Sequence, residues 1–313
     1  MPALKIAIQM DPMEAVDINA DTTFDLALEA FSRGHSIWIY QPETLRLENG
    51  RVAARTTKVA TFGRTAGGHV SWADEEDVSL HDMDVLLVRQ DPPFDMGYIT
   101  ACHILEHLMQ DVLVLNNPKE IRNAPEKLFV TEFPDLHPPT LITSDEPALR
   151  RFREEHEDII LKPLYGNGGA GVFRVRPDDQ NFSSLLEMFS QFYREPVIAQ
   201  AYLKDVRAGD KRIILIDGKP VGAINRIPSA DEVRSNMHVG GVATAVDISA
   251  RDREICERIG PALSERGLIF VGIDVIGDWL TEINVTSPTG IQEVRKFGGA
   301  DISILFWDWV EAQ

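Results

Sequence analysis

Apolar positions in this chain fall into short continuous or alternating runs separated by longer amphipathic stretches, the pattern of a sequence that switches between strands and helices. Residues 4–10 read as a buried strand, 21–34 as a helix stopped by Gly34, and 36–40 as a second strand. The helix carries Phe24, Ala27, Leu28 and Phe31 on one face, at the spacing that seals a helix onto a sheet. Residues 44–60 hold Asn49-Gly50 between alternating segments, a hairpin signal. A strand at 84–89, a helix at 97–109 and a strand at 112–115 follow, so an open, largely parallel α/β sheet is predicted up to about residue 122.

After Asn123 the rhythm changes. Residues 125–134 read as a helix, 139–142 as a strand, 145–156 as a helix and 159–163 as a strand, running into Gly166-Asn167-Gly168-Gly169-Ala170-Gly171. A strand (172–176), a helix (182–194) and a strand (197–200) come next. Residues 211–225 form a hairpin turning at Asp217-Gly218, and 228–241, aperiodic and containing Pro228, Ser229, Gly240 and Gly241, read as a long mobile loop. A helix (250–266), strands at 269–276 and 280–286, and C-terminal helices complete an α+β half. The expected partition is 1–122, 123–200 and 201–313.

Charge narrows the partners. The chain has 31 Lys and Arg against 49 Asp and Glu, a net charge of −18, so nucleic acid is not expected and any anionic substrate must meet a local concentration of basic groups. No apolar run approaches the ~18 residues of a membrane helix, and none is expected to bind a membrane. Two cysteines, Cys102 and Cys256, are too few for a disulfide framework and point to a reducing cytoplasm.

Gly166, Gly168 and Gly171 match G-x-G-x-x-G, but a dinucleotide fingerprint must open a helix, and this loop leads into Val172-Phe173-Arg174-Val175, which alternates like a strand. A glycine loop between two strands covers ATP phosphates in protein kinases, yet no H-R-D or D-F-G accompanies it. Four glycines in six residues are wasteful in an ordinary hairpin tip unless backbone N–H groups must approach a ligand closely. A phosphate-covering flap is the better reading, and Lys127 and Lys162 flank it as suitable point charges.

Phosphoryl transfer also needs a divalent cation, and magnesium takes oxygen ligands. Glu282 and Asn284 lie two apart on a strand and face the same way. If the turn is Gly277-Asp278-Trp279, Asp274 pairs opposite Glu282 and all three share one face; a two-residue turn would put Asp274 on the other face. A rival zinc pattern, His103-Ile-Leu-Glu106-His107, has no third ligand and is explained by helix packing. The acidic run Asp74-Glu75-Glu76-Asp77 reads as a solvated loop.

These residues together carry a resemblance. The stretch from Gly267 through Asp274 and Glu282 to Thr289 closely resembles the bacterial glutathione synthetases of the ATP-grasp superfamily. The likeness extends through Met10-Asp-Pro12, Arg89-Gln-Asp-Pro-Pro-Phe-Asp95, Glu126-Lys-Leu-Phe129, Asp158-Ile-Ile-Leu-Lys-Pro163, the glycine loop, Gly209-Asp-Lys-Arg212, Arg226-Ile-Pro228 and Gly240-Gly241, essentially the whole chain. It implies an ATP-grasp fold, with lid and catalytic domains, preceded by an N-terminal open α/β domain. It also implies a reaction: ATP-dependent ligation of γ-glutamylcysteine with glycine through an acyl phosphate, giving glutathione, ADP and phosphate.

Carried to the matching positions, the resemblance gives nucleotide binding to Lys127, Lys162, Lys211, Gly166, Gly168, Gly169, Gln200, Tyr202 and Leu203. The first two lysines would hold phosphates, and 200–203 would read adenine through the backbone. Arg212, Arg226 and Arg234 would be catalytic, and Arg89 and Ser287 would hold the peptide. Asp274, Glu282 and Asn284 would bind magnesium, with manganese as an alternative. Residues 228–241 would close over the intermediate, and the assembly would be a homo-oligomer, a tetramer by likeness. Gln90 departs from the family's lysine beside the arginine. The competing readings are another ATP-grasp carboxylate–amine ligase with a different acceptor, and a nucleotide-binding regulator without turnover.

Overall fold

The computed structural model describes residues 2–229, 231–232, 234–235 and 240–313. The first sheet is built from β1 (Lys5–Gln9), β2 (Ser36–Tyr40), β3 (Leu45–Glu48), β4 (Arg51–Phe62), β5 (Val70–Ser79), β6 (Val85–Val88) and β7 (Leu113–Leu115). Strands β2-β1-β6-β7 are parallel and almost wholly buried, as their unbroken apolar runs require, and α1 (Thr22–Ser32) and α2 (Met96–Leu105) provide crossovers. The Asn49-Gly50 turn forms as expected, both residues at positive φ, and joins β3 to β4 antiparallel. The acidic run is corrected: Asp74 to Asp77 lie within β5, paired only with β4, so the charges are solvated but sit on a sheet edge, where they discourage further strand pairing.

Two short helices, α3 (Pro118–Asn123) and α4 (Glu126–Phe129), lead onward. The expected boundary at residue 123 falls inside the packing of the C-terminal half: Phe129 and Leu136 share a core with Leu280 and Ile283, and Leu280 N–H donates to Leu136 C=O. The lid proper is a four-stranded antiparallel sheet of β8 (Thr140–Thr143), β9 (Ile159–Pro163), β10 (Phe173–Val175) and β11 (Val197–Ala201), in the order β10-β9-β11-β8. Helices α5 (Glu146–His156) and α6 (Phe182–Phe192) cover it, and Leu149, Leu161, Phe182, Leu186 and Phe189 form a small core of its own.

The third sheet contains β12 (Asp210–Ile216), β13 (Lys219–Ile227), β14 (Val242–Ala245), β15 (Phe270–Ile276) and β16 (Trp279–Asn284), in the order β14-β13-β12-β15-β16. Helices α7 (Ala250–Glu265), α8 (Ile291–Lys296) and α9 (Ile302–Glu311) complete it. Its apolar side chains merge with those of the first sheet into two shared cores. Asn116 rivets the halves: its Oδ1 accepts from Ile269 and Phe270 N–H at 2.8 Å, and its Nδ2 donates to Phe270 and Val285 C=O at 2.8 and 2.7 Å. The aperiodic 228–241 stretch lies partly outside the described residues.

Candidate active site

Strand alternation builds the floor of the site. In the third sheet Arg212 pairs across β12–β15 with Asp274, which pairs across β15–β16 with Glu282; Asp210 pairs with Arg226, and Gly272 with Asn284. Side chains of directly paired residues share a face, so two arginines, three carboxylates and an amide project together.

The sequence reasoning reached the Asp274–Glu282 pairing by a different route from the one the chain takes. The turn has two residues, Gly277-Asp278, with Gly277 at φ 59°, and not the three expected. A β-bulge corrects the face: Leu280 pairs with Val275 and Glu282 with Asp274, leaving Thr281 unpaired. Thr281 Oγ1 donates to Asp274 C=O at 3.1 Å, pinning the extra residue.

The floor is held by its own charges. Arg212 meets Asp274 through Nε at 2.5 Å and Nη2 at 3.0 Å, and Arg226 Nη2 lies 2.7 Å from Asp210 and 3.0 Å from Asp274. Burial alone would lift the Asp274 carboxyl; the two guanidiniums outweigh it and hold it well below the usual carboxylate range. Arg212 crosses Gly272, where an added Cβ would stand 3.1 Å from Arg212 Cδ and 2.8 Å from Pro288 Cβ, so glycine is needed there. Glu282 faces Lys162 at 3.5 Å and Lys127 at 3.7 Å, and these lysines overcome burial to hold its carboxyl below its ordinary value. Burial conversely lowers the Lys162 ammonium, against the pull of Glu282.

The roof comes from the lid. Gly168, Gly169 and Gly171 adopt positive φ, and an added Cβ on Gly166 would come within 2.5 Å of Pro163 Cγ. Lys127 Nζ donates to Gly166 C=O, and Arg234 Nη1 to Gly169 C=O at 3.3 Å. Between floor and roof opens a cleft of about 800 Å³. Gln200, Tyr202 and Leu203 line it; Tyr202 N–H donates to Asp158 C=O, and the Arg174 guanidinium stacks 3.7 Å over the Tyr202 ring. Ser287 also lines the cleft, as do Asp11, Asp17 and Asp21.

The cleft thus gathers Lys127, Lys162, Gly166, Gly168, Gly169, Gln200 to Leu203, Arg212, Arg226, Arg234, Asp274, Glu282, Asn284 and Ser287. Two expected residues are placed elsewhere. Lys211 alternates onto the opposite face of the sheet and pairs with buried Asp252 at the start of α7, so it does not reach the nucleotide cleft. Arg89 is buried beneath the 286–288 segment, donating to Thr23 Oγ1 at 3.0 Å, Pro288 C=O at 3.1 Å and Thr286 C=O at 3.5 Å, and is not among the cleft-lining residues. Sequence reasoning missed two acids that line the cleft, the buried Asp210 and the half-buried Glu126. Asp210 was within reach of the parity argument: it stands two residues before Arg212, as Glu282 stands two before Asn284.

A hard divalent cation fits this floor. Asp274, Glu282 and the Asn284 amide supply oxygen donors, and the buried Asn284 amide nitrogen has no partner among the described residues, so the amide is free to orient for a ligand. Among the described residues no three His, Cys, Asp or Glu side chains are placed to hold a metal by themselves, so other oxygens, such as those of a nucleotide's phosphates, would complete the coordination. His103 and Glu106 face each other at 3.5 Å, one turn apart.

Comparison with known proteins gives a consistent result. Residues 4–122 match the prokaryotic glutathione synthetase N-terminal domain, and 126–299 the prokaryotic glutathione synthetase ATP-grasp domain. The glutathione synthetase of Brucella melitensis is 59% identical over 311 residues, 99% of both chains, and that of Mesorhizobium japonicum 59% identical over 310 residues, again 99% of both. Among solved structures, the D-cycloserine synthetase DcsG superposes with a TM-score of 0.68 at 14% identity, covering 96% of this chain and 97% of that one. The ATP-grasp ligase PsnB does so at 0.63 and 18%, covering 98% and 99%. These two share the fold.

Proposed function

The chain belongs to the prokaryotic glutathione synthetase family, and from that premise we propose how its cleft ligates γ-glutamylcysteine to glycine at the expense of ATP. A carboxylate is a poor acyl donor, so the γ-phosphoryl group is first transferred to it, and the amine then displaces phosphate. Charge gathers on oxygen throughout, and cations with N–H donors suffice without a serine or cysteine nucleophile.

The observation that carries this reading is the one-faced row Arg226, Arg212–Asp274–Glu282 and Asn284, opposed by Lys127 and Lys162. Lys127, Lys162 and the N–H groups at Gly166, Gly168 and Gly169 hold phosphates, while the backbone of 200–203 reads the base. Asp274, Glu282 and Asn284 would hold Mg2+, or Mn2+, which would supply positive charge to offset that of the phosphates. Arg212 and Arg226 then turn from Asp274 toward the reacting carboxylate and the transferred phosphoryl group. Arg234, tied to the glycine loop, joins them from the roof and helps exclude water from an intermediate that hydrolyses readily. Ser287 contacts the peptide; Arg89 acts on it through the 286–288 backbone.

We also place the reaction in a reducing cytoplasm, a reading supported by two free, buried cysteines. A homo-oligomer, a tetramer by family likeness, is supported by exposed Phe297, Ile304 and Leu305 on the C-terminal helices.

Pure protein incubated with ATP, Mg2+, γ-glutamylcysteine and glycine is expected to release phosphate only when all four are present. Phosphate release that ignores glycine would overturn the assignment, and a panel of amines separates it from another ATP-grasp ligase. Glu282→Gln is expected to abolish turnover, whereas a non-catalytic nucleotide-binding regulator would have none to lose.

A further inference from the structure

We propose that Asp158 and Arg174 are positioning residues that hold the base-reading segment in the one alignment that suits adenine. The proposal rests on the assignment of residues 200–203 to the nucleotide base. Neither residue is among those lining the cleft, so both act through Tyr202, which is.

Backbone polarity decides what the segment can read. β11 ends at Ala201, and beyond it the peptide groups are no longer spent on a sheet. Ala201 N–H donates to Pro139 C=O at 3.0 Å, and proline has no N–H with which to return the bond. The Ala201 carbonyl is thereby left open on that edge. Leu203 continues extended, at φ −90° and ψ 110°, and its N–H finds no acceptor among the described residues. On an extended segment, the carbonyl of one residue and the N–H two residues on point to the same side. Here they set an acceptor beside a donor. Adenine presents the complement, a donor at N6 and an acceptor at N1, whereas guanine presents O6 and N1–H, the reverse.

Tyr202, between them, points its N–H the other way and donates to Asp158 C=O at 2.9 Å. The carboxylate of the same aspartate takes Arg174 bidentately, from Nε at 2.9 Å and from Nη2 at 2.6 Å. The Arg174 guanidinium in turn lies 3.7 Å from the centre of the Tyr202 ring. One ion pair therefore grips both the backbone and the side chain of Tyr202. Strand pairing puts it there: Arg174 pairs across β9–β10 with Ile160, a cleft-lining residue that pairs across β9–β11 with Gln200. Ala201 and Leu203 cannot rotate away from the base edge without breaking this grip, so the ordering they need is supplied before the nucleotide arrives.

A pair that merely stabilised the lid would serve every ligand of the lid alike, whereas one that aligns the linker serves only the base. Isothermal titration calorimetry of the full chain with Mg2+, using ADP, GDP and tripolyphosphate, separates the two. Arg174→Gln is expected to weaken ADP by about tenfold, roughly the loss of one hydrogen bond. Tripolyphosphate, which has no base, should stay within about twofold of the parent, and so should GDP, narrowing the preference for ADP. Unchanged ADP affinity, or equal weakening of ADP and tripolyphosphate, overturns the proposal. If circular dichroism shows Arg174→Gln unfolded, Tyr202→Leu, which removes the ring and leaves Arg174 with Asp158, is judged by the same outcomes. A parent chain that binds ADP no more tightly than GDP would instead refute the assignment of 200–203 to the base.

Discussion

At the scale of single residues, the charges of the cleft are neutralised from within. Glu282 is the counter-ion of Lys127 and Lys162, and Asp274 that of Arg212 and Arg226. Each ligand must therefore replace an internal partner. Lys162→Met should accordingly change two affinities in opposite directions. Nucleotide binding weakens because a phosphate loses its cation, whereas Mn2+ alone binds more tightly, by roughly five- to tenfold, because Glu282 loses a competitor. Electron paramagnetic resonance of free Mn2+, with and without ADP, measures both; a weakening of both would contradict the pairing. Residue types were readable from sequence, but their facing was harder. Lys211 is a plausible phosphate ligand beside Arg212, yet one step along a strand turns it to the far side, toward Asp252. Asp210, by the same alternation, belongs in the cleft.

At the scale of elements, the β15–β16 hairpin shows how a correct pairing can rest on an unforeseen local structure. Glycine and aspartate announced a turn after Ile276, and the alternation of Glu282, Ile283 and Asn284 announced a two-faced strand. Nothing in Thr281 announces a bulge, since threonine is an ordinary strand residue and the bulge is fixed by packing on either side. The β12–β13 hairpin repeats the device: Asp217-Gly218 turn at positive φ, and the register slips between Ile214 and Leu215. Inserting one residue after Thr281 should shift the register by one, turning Glu282 and Asn284 toward the core and Ile283 into the cleft. We expect turnover to fall by more than about 100-fold, with a lower melting temperature, while Thr281→Ser retains most of both. Full activity in the insertion variant would refute the role given to this register.

At the scale of the whole molecule, the excess of acid that excluded nucleic acid coexists with a cleft that concentrates lysine and arginine, a contrast foreseen from composition but not located by it. A change of architecture near residue 123 was legible in the period of the apolar residues. How the segments group in space was not, because α4 follows the first sheet in sequence and packs with the third. That packing has a thermodynamic consequence. The first and third sheets share their cores and the Asn116 rivet, whereas the lid closes its own small core around Leu161 and Phe189. Three sheets should therefore melt as two cooperative units. In scanning calorimetry the lid is expected to give a minor, earlier transition that ADP with Mg2+ shifts upward into the main one, since the ligand is held by both bodies. A single transition already present without ligand would mean that the lid is coupled to the rest of the molecule more strongly than its separate core indicates.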